Sequence, residues 1–586
     1  MCGISAYIGN NKAGPILVES LRKMEYRGYD SAGIATISEE KLIVKKNTGR
    51  LEQILDKVDM ENISGNIGIA HTRWATHGKV NILNTHPHVS CNSEIAIAHN
   101  GIIDNYQKLL EELQNKDHKI LTETDSEIIV HLLEENYKKD NDEIKAFQNT
   151  VKNLKGSFAL VAIFKNNPNM VIGAKKDAPL IIGTDKKQNF IASDILAFIK
   201  FTDKVIFLDD EEIAIITKKS VQITKFDGTI IKKKKTHVSF GAANISKEEF
   251  AHHTIKEIKE QNNTILESTK QNNKSMEKFI EGITNAKAIY ITGCGSSYHA
   301  GLIFRQLLMR MCKISAQAFL SSESHEYVDI IDKDSAIVCL SQSGETADLL
   351  DIIKSSKKKG AKILSIINTR GSSVSRLSDT ELELKCGPEI GVAATKSFTS
   401  ELIVIYSIIL RMAHFKGNSL STISKSVHKI MEEKNIKEII QIMKEAKDVY
   451  YVGRGVHYPI ALEGALKLKE LSYIHAEGMA AGELKHGTLA LIDERTPVVV
   501  INPEDETYND TLNNISEMKA RGAKIIGISN KNSQLYDHFI ELPQLDHVLY
   551  PIIEIIPLQL FAYYTAVERQ NNPDYPRNLA KSVTVK

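Results

Sequence analysis

A cysteine at position 2 has the chemistry of a nucleophile that carries its own base. Removal of Met1 would leave Cys2 with a thiol and a free α-amine on the same residue. An α-amine has a pKa of about 8, so a substantial fraction is unprotonated near neutral pH and can accept the thiol proton. A second-position cysteine can equally be incidental, so this interpretation depends on the residues that accompany it.

An Asn-Gly pair at Asn100 and Gly101 could stabilise a tetrahedral oxyanion. The pair follows the apolar segment Ile95–Ala98 and offers a side-chain amide and an unhindered backbone N–H. An oxyanion needs two donors aimed at one point, which such a pair can supply. The same dipeptide is typical of a tight turn, and Cys2 is what favours the catalytic interpretation.

Five ordered blocks accompany these residues: Met1–Ile4, Tyr26–Ser31, His71–Thr76, His99–Gly101 and Thr124–Asp125. Together they resemble the class II glutamine amidotransferases, the N-terminal-nucleophile glutaminases. The resemblance implies an αββα fold in which Cys2 attacks the glutamine carboxamide while its α-amine shuttles the proton. Asn100 and Gly101 would form the oxyanion hole.

The same resemblance implies a set of contacts to glutamine. The residues expected to make them are Arg27, Arg73, Trp74, Thr76, His77 and Asp125. Arg27, Arg73 and Asp125 would hold the charges of the glutamine backbone, and the loop with Trp74 would close over the substrate and keep water from the thioester. A structural ion pair is the alternative for Arg27 and Arg73, and a helix N-cap is the alternative for Asp125.

Two hydroxyl-rich turns in the second half of the chain could bind a phosphate. The first, Ser341–Thr346, lies between the apolar segment Ala336–Leu340 and the helix-like segment Ala347–Ile353. A phosphate there would meet hydroxyls, unpaired backbone N–H groups and a helix N-terminus. Ser296 and Ser297 lie in the second turn. Each turn could instead be an ordinary Ser/Gly loop with an N-cap, but their convergence at adjacent strand ends favours binding.

These turns resemble the sugar isomerase (SIS) domains, which bind phosphosugars. Four further blocks are similar to the family of glutamine:fructose-6-phosphate amidotransferases: Gly387–Lys396, Glu463–Glu470, Gly482–Gly487 and Pro576–Val585. This resemblance covers essentially the whole chain. It implies conversion of fructose 6-phosphate and glutamine to glucosamine 6-phosphate and glutamate, the first step of hexosamine biosynthesis, with ammonia channelled from Cys2 to the sugar.

The family resemblance also assigns contacts to fructose 6-phosphate. The expected residues are Ser296, Ser297, Ser341, Gln342, Ser343, Thr346, Val392 and Ala394. Many relatives carry serine where this chain has Ala394, so a hydroxyl contact to the sugar is expected to be missing here.

The sugar chemistry requires an amine, a base and an acid. By resemblance, Lys581 forms a Schiff base with the C2 carbonyl of the open-chain sugar. Glu470 moves the proton from C1 to C2, and Lys467 assists nearby. His486 would open the sugar ring from the neighbouring subunit, which implies a homodimer. The alternatives are a frayed tail for Lys581, a solvated helix face for Lys467 and Glu470, and a satisfied polar histidine for His486.

The elements that must position these residues change in pattern near residue 240. Short apolar segments before it predict a sheet-rich unit, and alternating strands and helices after it predict parallel sheets with crossover helices. The expected domains are a glutaminase domain at 1–240, a linker and helical lead-in at 241–278, SIS domains at 279–420 and 440–575, and a C-terminal active-site tail at 576–586.

The second half also repeats itself. Ala288–Gly301 matches Asp448–Gly464 in the order apolar strand, Gly-x-Gly, polar turn and helix. The strands that start at Ala336 and Pro497 match at nearly the same offset. This duplication predicts two doubly wound α/β domains, each with a site at the carboxyl ends of its strands.

Composition limits the remaining classes of function. With 586 residues, 42% hydrophobic and 25% charged, the chain has the composition of a multidomain globular protein. A net charge of +1 gives no overall field for nucleic acid or an acidic membrane. The longest apolar run, Leu402–Leu410, is about half the roughly 20 residues that span a bilayer, so we expect a buried helix.

The cysteine pattern and the N-terminal segment bear on cofactors and location. Six cysteines lie far apart without a C-x-x-C pair, which argues against a disulfide framework or a structural zinc site. We expect no metal and no organic cofactor. The N-terminal segment lacks the basic start and apolar core of a secretory signal, so a cytoplasmic location is expected.

Two rival functions fit less well. A different glutaminase would need a V-V-D-D-S-x-x-R-G ribosyl-pyrophosphate loop or an S-G-G-x-D-S adenylation loop, and the sequence contains neither. A noncatalytic phosphosugar sensor would bind fructose 6-phosphate, yet it would tolerate loss of Cys2, Glu470 and Lys581.

Overall fold

The computed structural model describes residues 2–75, 77–238, 247–415, 420–432 and 436–584. The chain divides into two compact units, Met1–Ala243 with Ala580–Lys586 and Asn244–Leu579.

The first unit is built from two antiparallel sheets and the helices that cover them. Its strands are β1 (Gly3–Ile8), β2 (Ser31–Ser38), β3 (Lys41–Thr48), β4 (Ile67–Arg73), β5 (His88–Val89), β6 (Ile95–Ile103), β7 (Gly156–Phe164), β8 (Asn167–Lys176), β9 (Ile181–Thr184), β10 (Asn189–Ala192), β11 (Lys204–Phe207), β12 (Glu212–Ile216), β13 (Val221–Lys225), β14 (Ile230–Ile231) and β15 (Thr236–His237). Its helices are α1 (Ala13–Met24), α2 (Leu51–Leu55), α3 (Tyr106–Gln114), α4 (Asp125–Asp140) and α5 (Glu143–Asn153).

The two sheets pack face to face, and helices cover their outer faces. The strand orders are β15-β11-β9-β10-β1-β4-β2-β3 and β14-β13-β12-β8-β7-β6-β5. Along β1, Ile4 and Ala6 pack between the sheets, whereas Tyr7 joins the core under α1. Because both faces of the central strands are covered, β1 and β4 are wholly buried, and β1 and the first half of β4 are largely apolar in the sequence. The predicted αββα arrangement is confirmed.

The second unit contains two parallel sheets joined and covered by helices. Its strands are β16 (Ala288–Gly293), β17 (Gln317–Leu320), β18 (Ser335–Ser341), β19 (Lys362–Ile367), β20 (Thr380–Glu383), β21 (Asp448–Gly453), β22 (His475–Ala480), β23 (Pro497–Ile501), β24 (Lys524–Ser529) and β25 (His538–Glu541). Its helices are α6 (His253–Thr269), α7 (Asn273–Thr284), α8 (Ser296–Leu307), α9 (His325–Val328), α10 (Ala347–Lys358), α11 (Ser373–Leu377), α12 (Lys396–Met412), α13 (Ile423–Met431), α14 (Ile436–Glu445), α15 (His457–Ser472), α16 (Tyr508–Lys519) and α17 (Tyr550–Glu568).

The two parallel sheets share one topology. Their orders are β17-β16-β18-β19-β20 and β22-β21-β23-β24-β25, so the first strand of each repeat lies between the second and the third. The predicted duplication and the doubly wound fold are confirmed. In this topology a ligand binds where the connections diverge to opposite faces, beyond the carboxyl ends of the first and third strands.

Two apolar helices form much of the core of the second unit. The predicted buried helix around Leu402–Leu410 is confirmed, since it lies inside α12. The segment His547–Glu568, which contains α17, is long and apolar enough to cross a membrane, with a mean hydropathy of 1.3. However, 94% of its apolar window is buried inside the protein, which is typical of a core helix.

The second repeat has a buried ion network where α15 begins. His457 Nε2 lies 3.2 Å from Asp505 Oδ2, and His457 Nδ1 lies 2.8 Å from Glu554 Oε1. Burial alone would lower the pKa of His457, but the two carboxylates outweigh it and raise the pKa to about 9. The imidazolium is therefore held charged in the interior.

Candidate active sites

A cavity in the first unit surrounds Cys2. Its lining residues are Cys2, Arg73, Trp74, His77, His86, His99, Asn100, Gly101, Thr124, Asp125, Ser126 and Thr584. The structure thus brings together every predicted residue of the glutamine site except Arg27 and Thr76. Thr76 lies outside the described residues.

The predicted oxyanion donors lie in the middle of β6. Asn100 Nδ2 donates to the Cys2 carbonyl oxygen at 3.0 Å, so the amide faces the nucleophile. Gly101 has φ +124°, and a Cβ there would lie 1.9 Å from the Ser157 carbonyl oxygen. Glycine is therefore required beside Asn100, and its backbone N–H is unhindered by a side chain.

A buried histidine fixes the orientation of the Asn100 amide. His71 Nε2 lies 3.1 Å from both Asn100 Oδ1 and the His99 carbonyl oxygen. Burial lowers the pKa of His71 to about 3, so the ring is neutral. Because both partners accept, the proton is assigned to Nε2, and the Asn100 amino group is left to point at Cys2.

The Cys2 thiol contacts the backbone of the loop that follows β4. The Trp74 N–H donates to Cys2 Sγ at 3.3 Å, and Sγ donates to the Trp74 carbonyl oxygen at 3.4 Å. Burial raises the pKa of Cys2, although the Trp74 backbone N–H and the nearby Arg73 charge oppose this rise. The thiol is thus protonated at rest, and attack on a substrate needs a base.

The loop after β4 is held from two sides. The Arg73 guanidinium donates to the carbonyl oxygens of His77, at 2.5 Å, and Gly78, at 3.3 Å. From the other side, Asp30 Oδ2 accepts from the Ala75 N–H at 2.8 Å. Arg73 therefore both lines the cavity and fixes the loop that carries Trp74.

Asp125 lies at the start of α4 but does not cap it. The N-cap is Thr124, and Asp125 Oδ2 accepts from the Ile103 N–H at 2.9 Å. The N-cap alternative for Asp125 is therefore wrong. Its buried carboxylate lines the cavity close to the positive end of the helix, where a negative charge is stabilised.

Arg27 makes the ion pair that was its alternative role. Its Nη1 lies 2.7 Å from Asp194 Oδ2, and the Tyr26 hydroxyl donates to the same oxygen at 2.5 Å. Arg27 is not among the residues that line the cavity around Cys2. Its contact with glutamine stays a prediction.

The second unit places the hydroxyl-rich turns at the carboxyl ends of the adjacent strands β16 and β18. In the turn after β18, the Gly344 N–H donates to Ser341 Oγ at 3.0 Å. Gly344 has φ +65°, and a Cβ there would lie 2.0 Å from Ser372 Oγ, so the tight path of the turn requires glycine. Thr346 caps α10 without a side-chain hydrogen bond. The first turn of α10 can therefore accept an anion.

Two buried carboxyl groups bind the serines of the other turn. Ser296 Oγ donates to Glu463 Oε1 at 2.8 Å, and Ser297 Oγ donates to Glu401 Oε1 at 2.7 Å. Burial raises the pKa of Glu401 to about 8, although the Ser297 hydrogen bond opposes it. A neutral carboxyl at Glu401 adds no negative charge beside this turn.

Helix α15 carries a lysine between two carboxylates. Lys467 Nζ lies 2.6 Å from Glu470 Oε2, 3.4 Å from Glu463 Oε1 and 3.2 Å from Ser296 Oγ. Burial alone would lower the pKa of Lys467, but Glu463 and Glu470 outweigh it and hold the pKa above its ordinary value. Lys467 is only 1% exposed, so the solvated-face alternative is wrong for it.

Four other residues predicted to act on the sugar differ in burial and lie in different parts of the chain. Val392 is buried, and its N–H donates to the Asp574 carbonyl oxygen at 3.3 Å, whereas Ala394 is half-buried. His486 is exposed at the end of a 3₁₀ turn. Lys581 is half-buried and belongs to the terminal stretch that groups with the first unit. The contacts of these residues with a sugar stay predictions.

Several residues of both sites were missed by the sequence analysis. In the first unit they include His71 and His99, which stand inside the quoted motifs. In the second unit they are Glu463, whose Oε2 also lies 2.7 Å from His299 Nδ1, and Glu401. A charged residue inside the apolar pattern of α12 was the available signal for Glu401.

Comparisons with known proteins agree with this geometry. A family model described as a glutamine amidotransferase domain matches residues 73–200, and a SIS domain model matches residues 282–411 and 442–569. Glutamine–fructose-6-phosphate aminotransferases (isomerizing) from Thermococcus kodakarensis and Pyrococcus horikoshii are 42% and 43% identical to this chain, over 100% of both chains in each case.

A solved structure is similar to the second half alone. The C-terminal domain of glucosamine-fructose-6-phosphate aminotransferase from Francisella tularensis is 32% identical with a TM-score of 0.50, covering 56% of this chain and 100% of that chain. Together, the two sites and the full-length relatives show that the chain belongs to the family of isomerizing glutamine–fructose-6-phosphate aminotransferases.

Proposed function

We propose that this chain transfers the amide nitrogen of glutamine to fructose 6-phosphate and isomerises the product to glucosamine 6-phosphate. The observation that carries the proposal is that one chain holds two complementary constellations. One is the Cys2 residue facing the Asn100 amide, and the other is the Lys467–Glu470 pair beside Ser296 in the serine turn after β16. The names of the full-length relatives support the choice of substrates.

In the glutaminase half, Cys2 Sγ attacks the carboxamide carbon and its proton passes to the α-amine. Asn100 Nδ2 and the Gly101 N–H hold the resulting oxyanion. The tetrahedral intermediate then collapses, the α-amine returns the proton to the leaving nitrogen, and ammonia departs. Water hydrolyses the thioester to glutamate. Asp125 and Arg73, with opposite charges on the lining, bind the ammonium and carboxylate ends of glutamine.

In the sugar half, the amine of Lys581 condenses with the C2 carbonyl of open-chain fructose 6-phosphate and releases water. Ammonia displaces the lysine and leaves an imine at C2. Glu470 removes a proton from C1 and returns a proton to C2, which gives the aldehyde at C1 and the amine at C2. Lys467, held as an ammonium, lies 2.6 Å from Glu470 Oε2 and positions this side chain.

The assembly and the location complete the proposal. His486 is exposed on its own subunit, which suits a residue donated to the site of a neighbouring subunit in a homodimer. Ammonia passes through a channel from Cys2 to the sugar, and the reaction takes place in the cytoplasm.

A labelling experiment tests the overall reaction. Incubation with fructose 6-phosphate and glutamine labelled with ¹⁵N at the amide should give ¹⁵N-glucosamine 6-phosphate, detected by mass spectrometry. Unlabelled ammonium added in excess should leave the label undiluted, because the nitrogen is channelled. Formation of glutamate without any amino sugar would refute the proposed function.

Trapping with borohydride tests the role of Lys581. Arginine keeps the positive charge but cannot form an imine, so borohydride should attach the sugar to the parent protein and not to Lys581→Arg. Peptide mass spectrometry locates the adduct. Lys485→Arg is the matched control, because Lys485 forms an exposed ion pair with Glu517 and should leave trapping intact. An adduct on Lys467 would refute the assignment of Lys581. We do not expect one, because the raised pKa of Lys467 keeps its amine protonated.

A further inference from the structure

Four potential metal ligands converge in the first unit, outside both proposed active sites. Cys91 lies in the turn between β5 and β6, and His118 lies in the connection between α3 and α4. His131 and Glu134 lie one turn apart on α4. Each offers one ligand atom, and the four atoms all lie within 4.8 Å of one another. We refer to these residues as the Cys91 cluster.

Five of the six distances between the ligand atoms of the Cys91 cluster match a tetrahedron around one ion, and the sixth, between Cys91 Sγ and the Glu134 carboxylate, is within 4.8 Å. Cys91 Sγ lies 3.5 Å from His118 Nδ1 and 3.4 Å from His131 Nδ1, and the two Nδ1 atoms lie 3.2 Å apart. Glu134 Oε2 lies 3.4 Å and 3.6 Å from the same two nitrogens. Zinc bonds of about 2.0–2.1 Å to nitrogen and about 2.3 Å to sulfur place tetrahedral ligands roughly 3.3–3.6 Å apart.

A carboxylate lies behind each of the two histidines, on the side away from the centre of the cluster. His118 Nε2 lies 3.0 Å from Glu135 Oε1, and His131 Nε2 lies 3.5 Å from Glu127 Oε1. Because a carboxylate only accepts, the His118–Glu135 hydrogen bond places the proton of His118 on Nε2 and leaves Nδ1 with a lone pair. The Glu127 carboxylate beside His131 Nε2 favours the same tautomer for His131. A carboxylate behind each imidazole is also the usual outer shell of a zinc-bound histidine.

A cation satisfies this arrangement better than hydrogen bonds do. Two imidazole lone pairs and the Glu134 carboxylate meet at one point. The Cys91 N–H donates to Glu134 Oε2 at 3.1 Å, and the Cys91 thiol can supply only one further proton, so the two imidazole nitrogens cannot both be satisfied. The side chains of His118, His131 and Glu134 are 1%, 2% and 3% exposed, so water cannot compensate for this convergence of acceptors. Cys91 itself is exposed, which gives an ion a route from solvent.

We propose that the Cys91 cluster binds one structural Zn²⁺ in tetrahedral coordination. One thiolate, two imidazoles and one carboxylate form a borderline-soft donor set that suits zinc, and four protein ligands close the coordination sphere. The absence of a C-x-x-C pair, which argued against zinc, does not bear on a site with a single cysteine ligand. The available signal was the His-x-x-Glu spacing of His131 and Glu134, which puts both side chains on one face of a helix.

The ion would connect the turn before β6, the connection between α3 and α4, and helix α4 itself. The Cys91 turn leads into β6, which carries Asn100 and Gly101. Helix α4 begins with Asp125, and the ligands on α4 lie further along the same helix. Zinc would therefore fix α4 against the turn that precedes β6, and would act on glutamine binding through position rather than through chemistry.

Metal analysis of the full-length protein tests this proposal. Protein purified from zinc-supplemented medium and freed of loose metal by gel filtration should contain about one zinc per chain by inductively coupled plasma mass spectrometry. Cys91→Ser and His131→Gln should each lose most of this zinc, and chelation should lower the melting temperature of the parent protein. Cys312→Ser is the matched control, since Cys312 lies in the second unit and should leave zinc content unchanged.

Cobalt substitution tests the ligands directly. Co²⁺ bound to the parent protein should show intense tetrahedral d–d bands and a thiolate-to-metal charge-transfer band, and Cys91→Ser should lose the charge-transfer band. A parent protein without stoichiometric zinc, a Cys91→Ser variant with full zinc content, or a cobalt spectrum without thiolate would each overturn the proposal. The cobalt and Cys91→Ser results decide the question even if His131→Gln fails to fold.

Discussion

Replacing Cys2 with alanine abolishes the use of glutamine, with an expected fall of roughly 10⁴ to 10⁶-fold in glutaminase turnover. The size of the effect follows from the geometry, because no other thiol lines the described cavity and the Asn100 amide faces Cys2 itself. Donors that stabilise an oxyanion cannot act when no nucleophile creates one. Release of glutamate from glutamine measures the loss.

Binding of fructose 6-phosphate supplies the control for the Cys2 variant. The turn Ser341–Thr346 and the Lys467–Glu470 pair belong to the second unit, so the sugar phosphate should still bind Cys2→Ala with unchanged affinity in calorimetry. Cys312→Ala should keep full activity. Glutaminase turnover that persists in Cys2→Ala would refute the assignment of the nucleophile.

Glu470→Gln is expected to lower synthesis of glucosamine 6-phosphate by about 10² to 10⁴-fold, the usual loss when a general base is removed. Glutamine keeps the size of the side chain and a hydrogen bond to Lys467, but it cannot accept the C1 proton. The ion pair between Lys467 and Glu463 remains, so the buried lysine keeps a counterion and the fold should persist. The fall should appear in kcat, with little change in KM for the sugar.

A neighbour on the same helix gives the matched control for Glu470. Lys469 is exposed, and Lys469→Gln should synthesise product at the parent rate. Glutamine hydrolysis should survive in Glu470→Gln, since Cys2 lies in the other unit. A synthesis rate that stays at the parent level would show that a different group carries the proton.

The sequence predicted the elements of this protein better than it predicted the contacts between them. The apolar segments Ile95–Ala98 and Ala336–Leu340 lie in β6 and β18, and the turn Ser341–Thr346 follows its strand as expected. These features depend on local pattern, in which burial on both faces leaves a continuous apolar run. The sequence predicted Asn100 and Gly101 just after the strand Ile95–Ala98, whereas β6 continues through both residues to Ile103.

The missed contacts join residues that are distant along the chain. The pairing of Arg27 with Asp194 and of Ser296 with Glu463 depends on how strands and helices pack, which no local pattern specifies. The Lys467–Glu470 pair is close in sequence, yet its burial depends on the elements packed against α15. Local spacing predicted that these two side chains share a helix face, but not that the face is turned inward.

The buried network of His457 marks a difference between the two repeats at the position where the helix after the first strand begins. Where the first repeat starts α8 with serines, the second starts α15 with an imidazolium locked between Asp505 and Glu554. With two carboxylates facing one imidazolium, this position carries no excess positive charge for a phosphate. Helix α15 instead extends Lys467 toward Ser296 of the first copy. Under the proposed function, the first repeat would bind the phosphate and the second would supply Lys467 and Glu470, so neither repeat could replace the other.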